Sequence, residues 1–427
     1  MLSTKTARAS ALDTALIVGG VLLPTLAVGV IKRRPRLTWL AQRLQVDRLA
    51  IAIMRRMRRR YGPGPLLLRL PRISVALLLT PEDVELLLAD TEVFAPASTE
   101  KRAALYHFQP HGSLVADQPD RATRRLFNES ALEIDHPLHS QHDRVAAIID
   151  AEVEPLTSGD RLGWDEFNAA WWRMVRRIVL GDAARDDHEL TDLLDRLRLD
   201  ANWAFLHPRS NRRLRAFDAA LRRYTENPES GSLVAAHHGS VDPATQVPHW
   251  LFAFDAAGIV TFRTLAMLAT HPEQAAQAEK DERPLLPFLR ACVLESVRLW
   301  PTTPMLLRQS TEQTGWGGGD PLPPGTHFLI FTPFFHRDPD TVPYADRFDP
   351  GAPMEPGVVP FSDGPARCPG QDLVLLVVST TLAALLREHT YRLTSPPEIS
   401  PDCPLPATLD PFSLTFAVAT LPPARPG

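Results

Sequence analysis

The stretch FSDGPARCPG, residues 361–370, decides how this chain is read. It holds Cys368 in a loop with two glycines, two prolines and an arginine, where regular structure is discouraged. A structural cysteine normally sits in an apolar run and behaves as a small hydrophobe. The sequence then changes at once: QDLVLLVVSTTLAALL, residues 371–386, predicts a strongly apolar, buried helix. A thiol held just ahead of a helix N-terminus feels the positive end of the backbone dipole, which favours its charged form.

Composition narrows the field. The chain has 427 residues, 44% hydrophobic and 22% charged, which is the profile of a globular protein. Its 41 prolines are spread along the sequence and predict many loops. The three cysteines, Cys292, Cys368 and Cys403, exclude a disulfide framework, and no C-x-x-C pair suggests zinc. A reducing compartment fits.

The net charge of −4 conceals an asymmetry. Residues 32–60 carry eleven Lys and Arg against one acid, Asp47, so this segment is +10 and the remainder sums to −14. Such a block points to an anionic surface, either lipid or an acidic protein. Before it runs ALIVGGVLLPTLAVGVI, residues 15–31, without a charge. As a helix it would span ~26 Å, the short end of a membrane crossing. Residues 1–31 read as a membrane anchor and 32–60 as a basic juxtamembrane segment, with a buried helix and a signal peptide as the alternatives. The basic flank places the body, residues 61–427, on the cytoplasmic side. No nucleic-acid partner is expected.

Within the body, residues 61–88 predict a small hairpin followed by a helix opening at Thr80-Pro81. Residues 91–118 show no clear period. From about 119 to 300 the pattern is helical, with breaks near 157–160, 207–211, 227–231 and 239–243. Short strands and turns dominate from 301 to the helix at 371, and again in the tail. The expectation is one large, mainly α domain with a minor β portion.

Three motifs then fall in order. In PFLRACVLESVRLWPTTP, residues 287–304, Glu295 and Arg298 stand at i and i+3 and share one helix face. YADRFDP, residues 344–350, offers Arg347 in a proline-framed turn. The cysteine loop follows. E-x-x-R, then x-x-R-F, then a loop similar to F-x-x-G-x-R-x-C-x-G resembles the C-terminal half of the cytochrome P-450 haem-thiolate enzymes. Phe361, Gly364, Arg367, Cys368 and Gly370 carry the loop's part of that resemblance, which extends over roughly residues 55–425.

The resemblance implies a cytochrome P-450 fold holding haem b (iron protoporphyrin IX) between a long central helix and the cysteine-loop helix. It implies Cys368 as the axial iron ligand, because a thiolate pushes electron density onto haem iron. The loop glycines would let backbone N–H groups approach the sulfur and temper its basicity. Arg367 and Arg308 are expected at the haem propionates, with Arg125 and Arg121 beside them and Arg124 as the weaker candidate. Glu295, Arg298 and Arg347 are expected as a structural ion-pair set.

Upstream, VPHWLFAFDAAGIVTFRTLAMLATHP, residues 247–272, is apolar around most of its circumference. The family places an A/G-G-x-acid-T signature on this helix, over the oxygen-binding face. Ala257, Gly258 and Thr261 match it, the small pair leaving room for dioxygen and the Thr261 hydroxyl available to it. Val260 stands where the acid belongs, and Asp255 points to another face. A carboxylate there would normally help relay protons.

The function implied is a monooxygenase, an oxidoreductase that inserts one atom of O2 into an organic, apolar small molecule. The chain shows neither a Rossmann-type nucleotide motif nor a four-cysteine cluster, so a separate ferredoxin or flavoprotein must donate electrons. The alternatives are atypical haem-thiolate chemistry (coupling, dehydration or peroxide-driven transfer) and a non-catalytic ligand-binding or sensor protein. NWAFLHP, residues 202–208, and Phe254 suggest an apolar pocket.

Overall fold

A helix of 24 residues, Val247–Thr270, forms the axis of the molecule and is about 36 Å long. With apolar residues on every side it can only be buried, and most of it is. Helices Trp164–Leu180, Pro287–Leu299 and Gln371–Leu386 pack against it, and the last also rests on His142–Thr157. The computed structural model of the chain describes residues 6–204, 206–236, 240–316 and 320–421.

Nine short strands complete the fold among the described residues: β1 Ala7–Arg8, β2 Leu66–Leu67, β3 Val75–Leu77, β4 Phe94–Ala95, β5 Arg161–Gly163, β6 Met305–Ser310, β7 His327–Phe331, β8 His389–Leu393 and β9 Thr415–Thr420. They make a six-stranded sheet in the order β1-β2-β3-β7-β6-β4 and a three-stranded sheet in the order β5-β9-β8. The hairpin read from residues 61–88 is β2 and β3, antiparallel with Leu66 opposite Leu77. Thr80 caps the helix Pro81–Ala89 through its hydroxyl, which accepts from the Asp83 N–H at 3.4 Å. The mainly α architecture with a minor β part is the one the sequence predicts.

The Glu295–Arg298 pair is a buried bidentate bridge, with both N–O distances 2.6 Å. Arg298 also donates to the carbonyls of His336, Ala345, Tyr344 and Arg347, while Glu295 accepts from the Asp349 N–H at 3.0 Å. This knot ties the loops that lead into the cysteine segment to the helix Pro287–Leu299. Arg347 enters differently from the expectation. Its side chain is exposed and its backbone carbonyl, not its guanidinium, meets Arg298.

The N-terminal region also needs correction. An apolar helix is present over Ala11–Val28, but it is not set apart from the body. β1 before it pairs in parallel with β2, and Ile17 and Val21 pack into the core with Ile53, Met54 and Leu66. At its far end Asn202 binds the backbone of Ile31 and Lys32, and Lys32 reaches Asp255 at 2.9 Å. The basic segment folds as two helices, Pro35–Leu44 and Val46–Tyr61, both docked on the body. Arg55 and Arg58 clasp Asp338 and Asp340, and Arg60 reaches Asp13. Packing is therefore continuous across the boundaries expected at residues 31 and 60.

Candidate haem-thiolate site

The cysteine loop is shaped by its backbone. Ser362 and Gly364 both adopt left-handed φ, at 62° and 65°. At Gly364 a Cβ would stand 2.2 Å from the Leu88 carbonyl oxygen, so only glycine fits. The Asp363 carboxylate accepts from the Gly364 N–H at 2.7 Å, and the Cys368 N–H donates to the Phe361 carbonyl at 2.9 Å. Gly370 then caps the helix Gln371–Leu386. Burial pushes the Cys368 thiol up, while the Gly370 N–H and the charge of Arg125 pull it down. Those two groups favour a sulfur anion, the form a metal ligand takes.

Side chains distant in sequence converge on this loop. Arg125 donates from Nη1 to the Arg367 carbonyl at 2.7 Å and pairs with Glu129 at 2.5 Å. Arg308, on β6, donates from Nη2 to the Ser362 hydroxyl at 3.3 Å. Near them lie Arg121 and a residue the sequence reading missed, Lys101. Lys101 sits on a seven-residue helix, Thr99–Leu105, inside the stretch read as aperiodic. The Thr99 N–H donates to the Gln309 side chain at 3.1 Å, fastening that helix next to Arg308. Nothing in the local sequence separates Lys101 from an ordinary surface lysine.

The electrostatics of this cluster are strained. Burial, then the charges of Arg308 and Arg121, push Lys101 down to about 7. Burial and Arg121 push Arg308 down to about 10. Arg121 is lowered by burial and by Arg125. His249, on the central helix, is lowered to about 4 by burial and by the charges of Lys101 and Arg125. Glu129 is the carboxylate at hand, and Arg125 holds it. Like charges gathered in a low dielectric disfavour one another, and an anion among them would relieve that cost. The two propionates of haem would supply that charge beside a sulfur ligand, so the residues present fit the group.

Arg367 does not join the cluster. It immediately precedes Cys368, one place later than the family arginine, and Ala366 occupies the family position. Its guanidinium points outward to Asp135, and its carbonyl serves Arg125. Arg124 is likewise tied off, to the His111 carbonyl and Asp120.

On the central helix the signature residues divide. The Thr261 hydroxyl donates to the Ala257 carbonyl at 2.9 Å, one turn back. Gly258 turns the other way: a Cβ there would stand 2.8 Å from Nε1 of Trp171, which donates to the Phe254 carbonyl at 2.8 Å. Gly258 is thus a seat for the indole of a neighbouring helix. Phe254 belongs to the same helix–helix packing, its ring 6.4 Å from Trp171. Asp255 faces away as expected, bound by Arg198 at 2.7 Å and Lys32 at 2.9 Å. Of the aromatic stretch 202–208, Trp203 is surface-exposed, and Phe205 lies outside the described residues, as do residues 317–319 of the later glycine run.

A family model described as cytochrome P-450 matches residues 267–410. The chain is similar to a probable cytochrome P-450 4s3 of Drosophila melanogaster, 31% identical over 141 residues, covering 30% of this chain and 28% of that protein. It is similar to an isoflavone 2'-hydroxylase of Medicago truncatula, 35% identical over 123 residues, covering 28% and 24% of the two chains. Matches to these curated relatives thus span less than a third of their length. Among solved structures, retinoic acid-bound cyanobacterial CYP120A1 superposes with a TM-score of 0.69 at 15% identity, covering 86% of this chain and 94% of that one. CYP175A1 of Thermus thermophilus gives 0.66 at 22% identity, covering 90% and 98%.

Proposed function

Because this chain belongs to the cytochrome P-450 family, we propose that it is a haem-thiolate monooxygenase acting on a small organic molecule with electrons from a separate ferredoxin or flavoprotein. The observation that carries the reading is the convergence of Arg121, Arg125, Arg308 and Lys101 beside the Cys368 loop, where Glu129 is spent on Arg125. Bound there, haem b would supply the oxygen activation that no amino-acid side chain offers.

The chain's own residues have separable roles. Cys368 holds the metal as thiolate, with the Gly370 N–H and Arg125 stabilising its charge. Arg121, Arg308 and Lys101 fix the cofactor's acidic edge. Ala257 and Thr261 lie on the central helix, where the Thr261 hydroxyl is the group able to pass on a proton. Val260 cannot contribute one. That favours a substrate bringing its own polar group, or, as a second reading, haem-thiolate chemistry other than hydroxylation. The apolar helix Ala11–Val28 and the basic residues after it support a place at the cytoplasmic face of a membrane.

The reduced carbon-monoxide spectrum tests the assignment. The thiolate-type Soret band is expected in the wild type and lost in Cys368→Ala, and it should survive Cys292→Ala and Cys403→Ala. Substrate-dependent O2 consumption with an added electron donor then separates an oxygenase from a ligand-binding protein.

A further inference from the structure

The N-terminal helix is inside out. Its buried face carries Asp13, Thr14 and Thr25 alongside Ile17 and Val21, and its outer face is Leu12, Ala15, Gly19, Leu23, Leu26 and Ala27. The polar inward groups are satisfied: Asp13 accepts from Tyr61 at 2.6 Å, and Thr14 accepts from the Arg69 N–H at 3.1 Å. The following helix, Pro35–Leu44, repeats the inversion. It buries Thr38 and Gln42, whose side-chain carbonyl accepts from the Asp410 N–H at 2.6 Å, and turns Leu37, Trp39, Leu40 and Leu44 outward. In water the opposite arrangement is the stable one.

These faces join into one surface. Of the sixteen large apolar side chains exposed among the described residues, eight lie between residues 12 and 49, so the exposure is concentrated and not scattered. Trp203 adds to the same surface, because Arg34 lies 4.6 Å over its ring while donating to the Leu26 and Ala27 carbonyls, and Leu199 and Leu206, close to Trp203 in sequence, are exposed as well. Cations interleave with the apolar groups. Arg36, Arg43, Arg48, Arg56 and Arg59 are exposed there, with Arg43 stacked 4.5 Å over Trp39. Apolar side chains ringed by arginine fit the boundary of an anionic bilayer, not the acidic face of a protein, which would leave the leucines uncovered.

We propose that this surface is a monotopic membrane-docking plate: Ala11–Val28 and Pro35–Leu44 lie flat in one leaflet of an anionic bilayer, joined there by Leu199, Trp203 and Leu206. The helix does not cross the membrane, because β1 and Lys32 tie both of its ends to the same body. This deepens the membrane placement proposed above. A shallow, open groove lined by Trp39, Leu40 and Phe412 together with Arg36, Asp410 and Ser413 lies on the plate.

The test uses full-length, haem-loaded protein and flotation with phosphatidylcholine vesicles with and without phosphatidylglycerol. Flotation should need the anionic lipid and weaken as salt rises. Leu23→Asp and Leu40→Asp, both at outward positions, should each lower partitioning about tenfold or more while the haem spectrum stays unchanged. Orientation is read with Arg8→Cys in a Cys403→Ser background, using an impermeant maleimide added outside the vesicles. Labelling at the rate seen without vesicles is expected. Protection of that cysteine, while Cys403 of the otherwise unchanged protein on the same vesicles stays reactive, would overturn the flat orientation and leave membrane attachment standing. No flotation under any condition would sink both. Vesicle-independent dimers that the two Asp variants dissolve would assign the plate to a second copy of this chain instead.

Discussion

Lys32 and Asp255 stand 2.9 Å apart although 223 positions separate them, and they join the basic segment to the central helix six residues before Thr261. Asp255 also holds Arg198, whose side chain is 1% exposed, and Asp195 sits beside both cations. Burial alone would raise the Asp255 carboxyl, but the charges of Arg198 and Lys32 outweigh it and hold it well below the usual carboxylate range.

Asp255→Asn should therefore destabilise the fold by about 3 kcal/mol, the low end for breaking a buried pair because Asp195 remains. Chemical denaturation measures this. The sign with pH follows from the depressed pKa. The contribution is complete above the unfolded carboxylate pKa and fades as pH falls below it. The wild type should thus lose its advantage over Asp255→Asn only in that acid range.

Lys101 has the opposite character. Its amine is lowered to about 7 in the fold, against 10.5 when unfolded, so the unfolded chain binds more protons between those values. Haem-free protein should gain stability as pH rises through that window, with the full cost present below it. Lys101→Met should flatten this slope. In haem-loaded protein the propionates would neutralise the cluster, and the slope should shrink without any mutation.

Gly258→Ala places a methyl group 2.8 Å from Trp171 Nε1 and 2.9 Å from its Cδ1. The indole is enclosed and cannot retreat without losing its bond to Phe254, so the variant should lose about 1–3 kcal/mol. Trp171→Leu should recover part of that loss in the double variant, a coupling that a melting experiment reads directly.

Val260→Glu returns a carboxyl to the helix position where the family carries one. If proton supply limits the proposed oxygenase, product formed per reducing equivalent should rise and released hydrogen peroxide should fall. Thr261→Ala should move both the other way. The carbon-monoxide band should not respond, since neither change touches the Cys368 loop.

How much of this was legible in the sequence depended on whether a residue's role is local. Cys368, Gly364 and the helix from Gln371 were readable because turn chemistry and apolar period are short-range. The hairpin before Thr80 was readable for the same reason. Lys101 was not, since its meaning comes from Arg308 and Arg121 across the fold. Arg367 misled because one residue of register decides whether a side chain points toward the cofactor or toward Asp135. The packing role of Gly258 was not legible because its partner, Trp171, is 87 positions away. The basic block was seen as charge alone, yet six of its eleven cations (Lys32, Arg33, Arg34, Arg55, Arg58 and Arg60) are engaged by acids or carbonyls of the fold.

The clasp between Lys32 and Asp255 also sets a timetable for synthesis. At roughly 5–20 residues per second, Asp255 is made roughly 10–45 s after Lys32. Asp338, which receives Arg58, comes later still. Until Asp195 and then Asp255 emerge, the carboxylates that hold Lys32 at the distal end of the helix Ala11–Val28 are missing. The ribosome thus presents this apolar helix well before the acids that fasten it and the segment after it.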